Sequence, residues 1–191
     1  MERIPIKQNP KLFDKAFAGM QLGMGEHLLW LDHIFGKAER LVKVVNGRKY
    51  YTPNVFVGGN EYEDITPDAT NLGNYSFFVL DEPQELSHDV GDRTHIHAPF
   101  SLIVWCDLRN LPSAYEERNT EALKQEILQC MNDHIWMRHG HFRLNRIYEK
   151  AENVFKGFTL DEIDNQFLMQ PYCGWRFEGE ISIATECETL S

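Results

Sequence analysis

The chain has 191 residues and a formal net charge of −10, and 42% of its residues are apolar and 25% charged. A chain of this length can bury a sizeable core without disulfides or metals, and its composition is typical of a globular protein. Its charge disfavours nucleic acid and anionic membrane surfaces as partners, because both present negative phosphates.

The cysteines and the first residues indicate a reducing, cytoplasmic setting. No CxxC pair is present, and most cysteines lie in apolar or strand-like surroundings, so free buried thiols are favoured over disulfides or a zinc site. The cysteines are Cys106, Cys130, Cys173 and Cys187. The opening MERIPIKQNP has no apolar signal segment, and no run approaches the roughly 20 apolar residues of a membrane-spanning helix.

Helical periodicity over residues 10–35 predicts a helix, a glycine-weakened junction and a second helical segment that ends near Gly36. The apolar positions are Phe13, Ala16, Phe17 and Met20, followed by Leu28, Leu31, Ile34 and Phe35. Gly19, Gly23 and Gly25 interrupt this pattern. Because GMQLGMG lacks a preceding strand and the GxGxxG spacing of a phosphate loop, a helix kink or C-cap is favoured over a nucleotide site.

Residues 41–80 contain short β-branched and aromatic runs, LVKVV, YYTPNVFVGG and YSFFVL, which are typical of strands. Asn46-Gly47 lies between two of these runs and predicts a tight hairpin. The polar, turn-rich segment from Glu61 to Asn74 predicts an exposed loop.

A second polar, acidic stretch, Asp81 to Thr94, leads into the candidate central strand, Ala98 to Asp107. Apolar side chains occupy both alternating sets of this strand, which predicts that both of its faces are covered. Farther on, Asn119 or Thr120 can cap an amphipathic helix that should lie against the sheet, with Glu121 in its first turn. Its apolar stripe is Leu123, Ile127, Met131 and Ile135.

The C-terminal part predicts two more strands and a short helix. Residues 141–148 alternate loosely, and their candidate inward positions are Phe142, Leu144 and Ile147. Thr159-Leu160-Asp161-Glu162 has the spacing of a capping box and predicts a short helix that Pro171 ends. In the closing strand, residues 175–183, odd positions are apolar or Gly and even ones polar, which predicts one solvated face.

These elements predict one α+β domain over residues 1–191. We expect a mixed or antiparallel sheet of about four to six strands, packed against the amphipathic helix, with an N-terminal helix in addition. The central and closing strands should share that sheet, which would leave the acidic connections free to contact other subunits.

Histidine offers the sharpest enzymatic hypothesis, a metal-dependent hydrolase. Two His-x-His pairs could ligate a metal, with Asp92 or Asp107 as an oxygen ligand. The pairs are His95 with His97 and His139 with His141, and His134 lies nearby in sequence. This spacing is permissive, and no HExxH or HxxEH motif supplies a general base, so surface or hydrogen-bonded histidines are favoured.

Other catalytic patterns are weaker. There is no GxSxG elbow for a nucleophilic serine, and no cysteine lies in a basic segment that would lower the pKa of its thiol. Carboxylates gather in the two polar stretches, where solvated loop faces are favoured over acid/base pairs. They are Glu61, Glu63, Asp64 and Asp68, then Asp81, Glu82 and Glu85. We therefore expect no catalytic residue, no cofactor and no metal.

The order of elements can now be compared with known families. It comprises an N-terminal helix, hairpins with a long polar loop, the strand Ser101 to Leu108, the helix opened by Asn119 to Leu123, and the closing strand Tyr172 to Ile181. This layout resembles the small tail-completion and tail-terminator proteins of long-tailed phages and their prophages.

The resemblance implies a non-enzymatic α+β subunit that forms a ring, a hexamer, as a tail terminator or head–tail connector. Its partners would be further copies of itself and tail-tube or head-connector proteins, and its destination would be the virion. The resemblance assigns no role to any single residue. A protein-interaction adaptor of another kind stays open as an alternative.

Overall fold

The structure is a computed structural model that describes residues 2–67, 72–88, 94–112, 119–133, 136–137, 140–160, 168 and 170–185. Its helices are α1 (Leu12–His27), α2 (Thr120–Asp133) and α3 (Ala151–Val154). Its strands are β1 (His33–Lys37), β2 (Glu39–Val45), β3 (Arg48–Gly58), β4 (Glu61–Asp64), β5 (Tyr75–Leu80), β6 (Glu85–His88), β7 (Thr94–Asp107), β8 (Trp136–Met137), β9 (Gly140–Tyr148) and β10 (Tyr172–Ala184).

The larger sheet is mixed and has β7 near its centre. Its strand order is β1-β5-β7-β10-β9-β8, and β6 pairs with β7 beside β5. β1 and β5 are parallel, whereas β10 runs antiparallel along β7, from Tyr172 opposite Asp107 to Ala184 opposite His95. The predicted α+β class and mixed sheet are therefore confirmed, and so is the pairing of the central and closing strands in one sheet.

Helix α1 packs on one face of this sheet through an aromatic cluster. The ring of Phe17 stacks on Phe78 of β5, with 4.7 Å between centroids. It also lies 6.4 Å from the ring of Phe100 on β7 and 6.1 Å from that of Phe142 on β9. Phe17 therefore joins α1 to three strands at once.

Helix α2 begins where the sequence predicts, and its apolar stripe is buried. Oδ1 of Asn119 accepts a hydrogen bond from the backbone N–H of Ala122 at 3.1 Å. The predicted stripe is buried at Leu123, Ile127 and Met131. Its fourth position, Ile135, lies outside the described residues.

A smaller layer covers the opposite face of β7 toward its C-terminal end. It contains the three-stranded sheet β2-β3-β4 and the segment around α3. Val55 of β3 and Phe155 pack in one cluster with Ile103 and Trp105 of β7. Both alternating sets of β7 are buried there, which confirms the prediction of a strand covered on both faces.

The predicted second helical segment before Gly36 is wrong. Helix α1 continues through all three glycines to its end, and residues 33–37 form β1. At Gly25 an added Cβ atom would collide with the Cδ1 atom of Ile4, so the Ile4 side chain would have to move. The glycine permits close packing inside the helix, whereas a short buried strand gives the same cluster of apolar residues as a helical turn.

The two polar stretches contain strands where the sequence suggests exposed loop. β4 begins the first stretch and β6 lies in the second. Both are edge strands with mostly exposed side chains, and charged residues are tolerated in that position. Residues 68–71 and 89–93 of these stretches lie outside the described residues.

The C-terminal predictions have mixed outcomes. β9 is confirmed, with Phe142 buried and Ile147 exposed. β10 is also confirmed, but its even positions are not all solvated, because Arg176 is only 2% exposed. The chain after α3 covers this side chain, which donates to the carbonyl of Lys156 at 3.1 Å. The predicted short helix falls mainly on residues 161–167, outside the described residues.

Candidate interaction surface

A hairpin projects from the smaller sheet and exposes apolar side chains. We call residues 40–49 the arm, since every one of them is exposed. Four of its aliphatic side chains are between 42% and 65% exposed. They are Leu41, Val42, Val44 and Val45. An apolar cluster of this kind on a polar surface is typical of a contact surface rather than of a core.

The sequence forms this hairpin through its turn. Asn46 and Gly47 have φ values of 50° and 79°, the left-handed conformation that a two-residue turn requires. Val45 and Arg48 pair directly beside the turn. The predicted Asn-Gly hairpin is therefore confirmed.

Contacts at the base of the arm fix its direction. The guanidinium of Arg40 lies 4.1 Å from the centroid of the Tyr51 ring. Lys43 forms an ion pair with Asp64 of β4. The backbone of Tyr51 is bound twice by Thr159, because its carbonyl accepts from Thr159 N at 2.9 Å and its N–H donates to Oγ1 at 3.0 Å.

The arm is basic within an acidic chain. It contains Arg40, Lys43, Arg48 and Lys49 and no acidic residue. Removing these four positive charges from the net charge of −10 leaves −14 for the rest of the chain. An acidic surface on another molecule, including a second copy of this chain, would therefore attract the arm.

Among the described strands, β2 and β6 each have one edge that pairs with no other strand. β2 is an end strand of the smaller sheet, and β6 pairs with β7 on one side. On β6, the side chain of Leu86 is 67% exposed, and Glu85 is exposed beside it. β2 is thus a basic apolar edge, whereas β6 is an acidic edge with one exposed leucine.

Three of the four histidines of the metal hypothesis lie on one face of the larger sheet. The rings of His95 and His97 are 6.4 Å apart on β7, and His97 shares a hydrogen bond of 2.9 Å with Ser87. Ser182 of β10 lies opposite both His97 and His141, so about 10 Å separates the strands of these two histidines.

The candidate oxygen ligands do not complete that group. Asp107 lies at the other end of β7, about 33 Å from His97 at the usual rise of an extended strand. It is held there by Arg109, whose Nε donates to it at 2.9 Å. Asp92, His134 and His139 lie outside the described residues. Within the described ranges, no three His, Cys, Asp or Glu side chains are grouped as a metal site. The histidine hypothesis stays a prediction.

Two of the carboxylates in the polar stretches, Asp64 and Asp81, take part in ion pairs. Burial alone would raise the pKa of Asp64, but the hydrogen bond from Lys43, with further bonds from Thr66, lowers it. Asp81 accepts hydrogen bonds from Arg176 and from Ser101, each at 3.2 Å. A lowered pKa is the opposite of what a general acid needs, so Asp64 is not tuned for that role.

The described cysteines are free, as predicted, and two of them have deactivated thiols. Cys106 and Cys173 lie opposite each other on β7 and β10, with 3.1 Å between sulfurs. This hydrogen bond and burial raise the pKa of Cys106, and burial raises the pKa of Cys130 to about 12. A nucleophilic thiolate is therefore disfavoured at both positions. Cys187 lies outside the described residues.

A cleft between the N-terminal segment and α1 is too small for an organic substrate. Its lining includes Lys7, Asp14, Gln21 and Phe56, and it has room of about 20 Å³, which suits about one water molecule. Partial burial would lower the pKa of Lys7, but its hydrogen bond to Asp14 at 3.0 Å raises it.

Sequence reasoning identified the hairpin but not its exposure. A half-buried strand alternates apolar and polar residues, whereas Arg40 to Val45 has aliphatic and basic side chains on both faces. That absence of alternation, in a short run beside an Asn-Gly turn, is the signal that could have identified the arm.

No family model matches the chain, and no curated protein is significantly similar to it. Among the described residues, no helix is long and apolar enough to cross a membrane.

Proposed function

We propose that the protein is a non-enzymatic assembly subunit of a phage or prophage tail, acting in a tail-terminator or head–tail connector ring. The observation that carries this proposal is the arm, which exposes four aliphatic side chains on a hairpin fixed at its base. The proposal requires no catalytic residue and no cofactor.

The exposed area of the arm is large enough to matter for association. Fully burying one Val or Leu side chain contributes about 1.5–3 kcal/mol, so completing the burial of four half-exposed ones would contribute about 4 kcal/mol. A partner that covers the arm would gain this free energy of association. Main-chain pairing at an open strand edge would add affinity and set the orientation of the partner.

The assignment to a tail ring draws on the resemblance in layout. The described helices and strands follow the predicted order from α1 through the hairpins, β7 and α2 to β10. Ring subunits need surfaces for neighbours more than a deep polar pocket, and the arm and the two open edges are surfaces of that kind. The expected partners are further copies of the chain and tail-tube or head-connector proteins.

Native mass spectrometry and light scattering test the proposal. Untagged protein would be measured at up to about 200 µM, which would saturate a contact with a Kd near 1 µM. The series would be repeated with the tail-tube subunit encoded in the same genome. We expect a closed ring, with six subunits as the first expectation. A protein that stays monomeric in both series and does not bind the tail-tube subunit would overturn the proposal.

Metal analysis separates this proposal from the enzymatic alternative. Protein purified without a histidine tag should contain no stoichiometric zinc, iron or manganese. A stoichiometric metal that is lost when His95 and His97 are replaced by alanine would favour the metal-dependent enzyme. Genomic neighbours give an independent check, because capsid, tail-tube or tape-measure genes are expected beside a tail subunit.

A further inference from the structure

Resting on the proposed function, we infer that the β2 edge of one copy pairs with the β6 edge of the next copy. The contact between neighbours in the ring is then an antiparallel or parallel strand pair that joins the smaller sheet of one subunit to the larger sheet of another. The partner is a second copy of this chain, and the arm is its docking element.

The outer edge of β2 presents backbone groups for such pairing. In an antiparallel pair, backbone groups point alternately toward the partner strand and away from it. The carbonyl of Tyr51 accepts from Thr159 N, so it points away from β2. Val42 lies opposite Tyr51, and its own backbone groups therefore point outward, as do those of Val44 by the same alternation. Among the described residues, none hydrogen-bonds to these groups.

The outer edge of β6 presents a matching set. The carbonyl of Pro99 accepts from Asp81 N at 2.9 Å, so odd-numbered residues of β7 point their backbone groups toward the β5 and β6 side. Even-numbered residues of β7 point their backbone groups to the other side. Leu86 lies opposite the even-numbered Ile96, so the two do not bond to each other and the N–H and C=O of Leu86 point away from β7. No described residue bonds to them.

Charge favours this combination of edges over the pairing of two like edges. β2 carries Arg40 and Lys43, and its Glu39 is ion-paired with Lys37. Glu82 and Glu85 lie just before and at the start of β6. Two β2 edges would bring like charges together, and so would two β6 edges, whereas β2 with β6 brings opposite charges together. The exposed side chain of Leu86 gives the aliphatic residues of β2 an apolar counterpart.

The pairing of two different edges makes the contact heterologous. Each copy offers one β2 edge and one β6 edge, so each copy can bind two neighbours. Contacts of this type close into a ring when the rotation between neighbours divides a full turn. A ring is the assembly that the proposed function requires.

Two single variants and one control test the inference. Val44→Glu adds a negative charge to the basic edge, and Leu86→Lys adds a positive charge to the acidic edge. Leu29→Glu is the matched control, because Leu29 is 74% exposed but lies on neither edge. All three positions are on the surface, and circular dichroism with thermal melting would verify that each variant folds like wild type.

We expect each edge variant to be monomeric under the conditions in which wild type forms its ring, whereas Leu29→Glu should assemble normally. Mixing is the decisive step. The Leu86→Lys copy keeps a normal β2 edge and the Val44→Glu copy keeps a normal β6 edge, so an equimolar mixture should regain association through that pair although each variant alone does not associate. Edge variants that still form rings alone would overturn the inference, and a mixture that stays monomeric would overturn the heterologous pairing.

Hydrogen exchange on wild type gives a second readout that does not depend on variants. The amides of Val42, Val44 and Leu86 should exchange fast in diluted monomer and slowly in the ring. Rings that leave these amides unprotected would refute the inference alone, and the proposed function would stand. A wild-type chain that never assembles, alone or with the tail-tube subunit, would remove the proposed function and the inference with it.

Discussion

Arg176 is a buried polar residue that contacts the segment next to the base of the arm, and replacing it with Met should lower stability. Its Nε donates to Oε1 of Glu178 at 3.1 Å, and one terminal nitrogen donates to the carbonyl of Lys156 at 3.1 Å. The other terminal nitrogen donates to Asp81 at 3.2 Å. Met would fill most of the same volume but would leave all three acceptors without this donor.

The expected loss of stability is about 2–3 kcal/mol. Breaking a fully buried ion pair costs about 3–5 kcal/mol, because a charge is left in a medium of low dielectric. Here the side chains of Asp81 and Glu178 are 42% and 19% exposed, so water can replace part of what they lose. The carbonyl of Lys156 loses its hydrogen bond as well, which costs about 1 kcal/mol.

Urea titration at neutral pH measures this loss, and thermal melting should show a midpoint lowered by about 4–12 °C for a chain of this size. Lys156→Ala is the matched control. Its ammonium lies 3.9 Å from Glu178 and its side chain is 69% exposed, so the change should stay within about 0.5 kcal/mol. If Arg176→Met were as stable as Lys156→Ala, the assignment of Arg176 as a structural anchor would be wrong.

Three further predictions concern the core, an ion pair and a thiol. Phe17→Ala should cost about 3–5 kcal/mol in urea titration, because it empties the centre of the aromatic cluster between α1 and the sheet. Lys43 lowers the pKa of Asp64 in the folded protein against the effect of burial. This carboxylate should therefore contribute its full stabilisation of the fold above its unfolded pKa of about 3.9, and the contribution should be lost as the pH falls through the lowered value. Cys130 should react slowly with a thiol reagent in the native protein, because burial raises its pKa to about 12.

Each of these predictions has a control within the same chain. Leu22→Ala, at a position of α1 that is 53% exposed, should change stability by less than about 0.5 kcal/mol. Asp64→Asn should remove its part of the acid sensitivity, and an unchanged acid transition would contradict the assigned shift. Urea-unfolded protein should show fast reaction at Cys130, and equal rates in the folded state would show that the thiol is accessible.

The elements with strong periodic patterns were predictable from the sequence. β7 has apolar residues at both alternating sets, and α2 has a single stripe behind an Asn cap, so each pattern allowed one structure. The pattern at residues 28–35 allowed two structures, because a short buried strand and a helical turn give similar clusters of apolar residues. Its outcome depended on pairing with β5, which is distant in sequence.

Edge strands and buried polar residues were not predictable for a different reason. β4 and β6 are rich in charge because one side of each faces water, and a local pattern cannot distinguish that from a loop. Arg176 fits the polar phase of the alternation in β10, and it is buried because the chain after α3 packs over it. The candidate surface was partly predictable, since Asn46-Gly47 specified the hairpin, but its exposure depends on where the smaller sheet ends.

The buried arginine and the exposed arm are linked through one short stretch of backbone. Arg176 binds the carbonyl of Lys156, and three residues later Thr159 binds both backbone groups of Tyr51 at the base of the arm. A docking element held in this way loses little conformational freedom when it binds, whereas a loose hairpin would lose more and bind more weakly. The segment 156–159 should therefore affect association although none of its residues lies on the arm, because it sets the direction in which the β2 edge is presented.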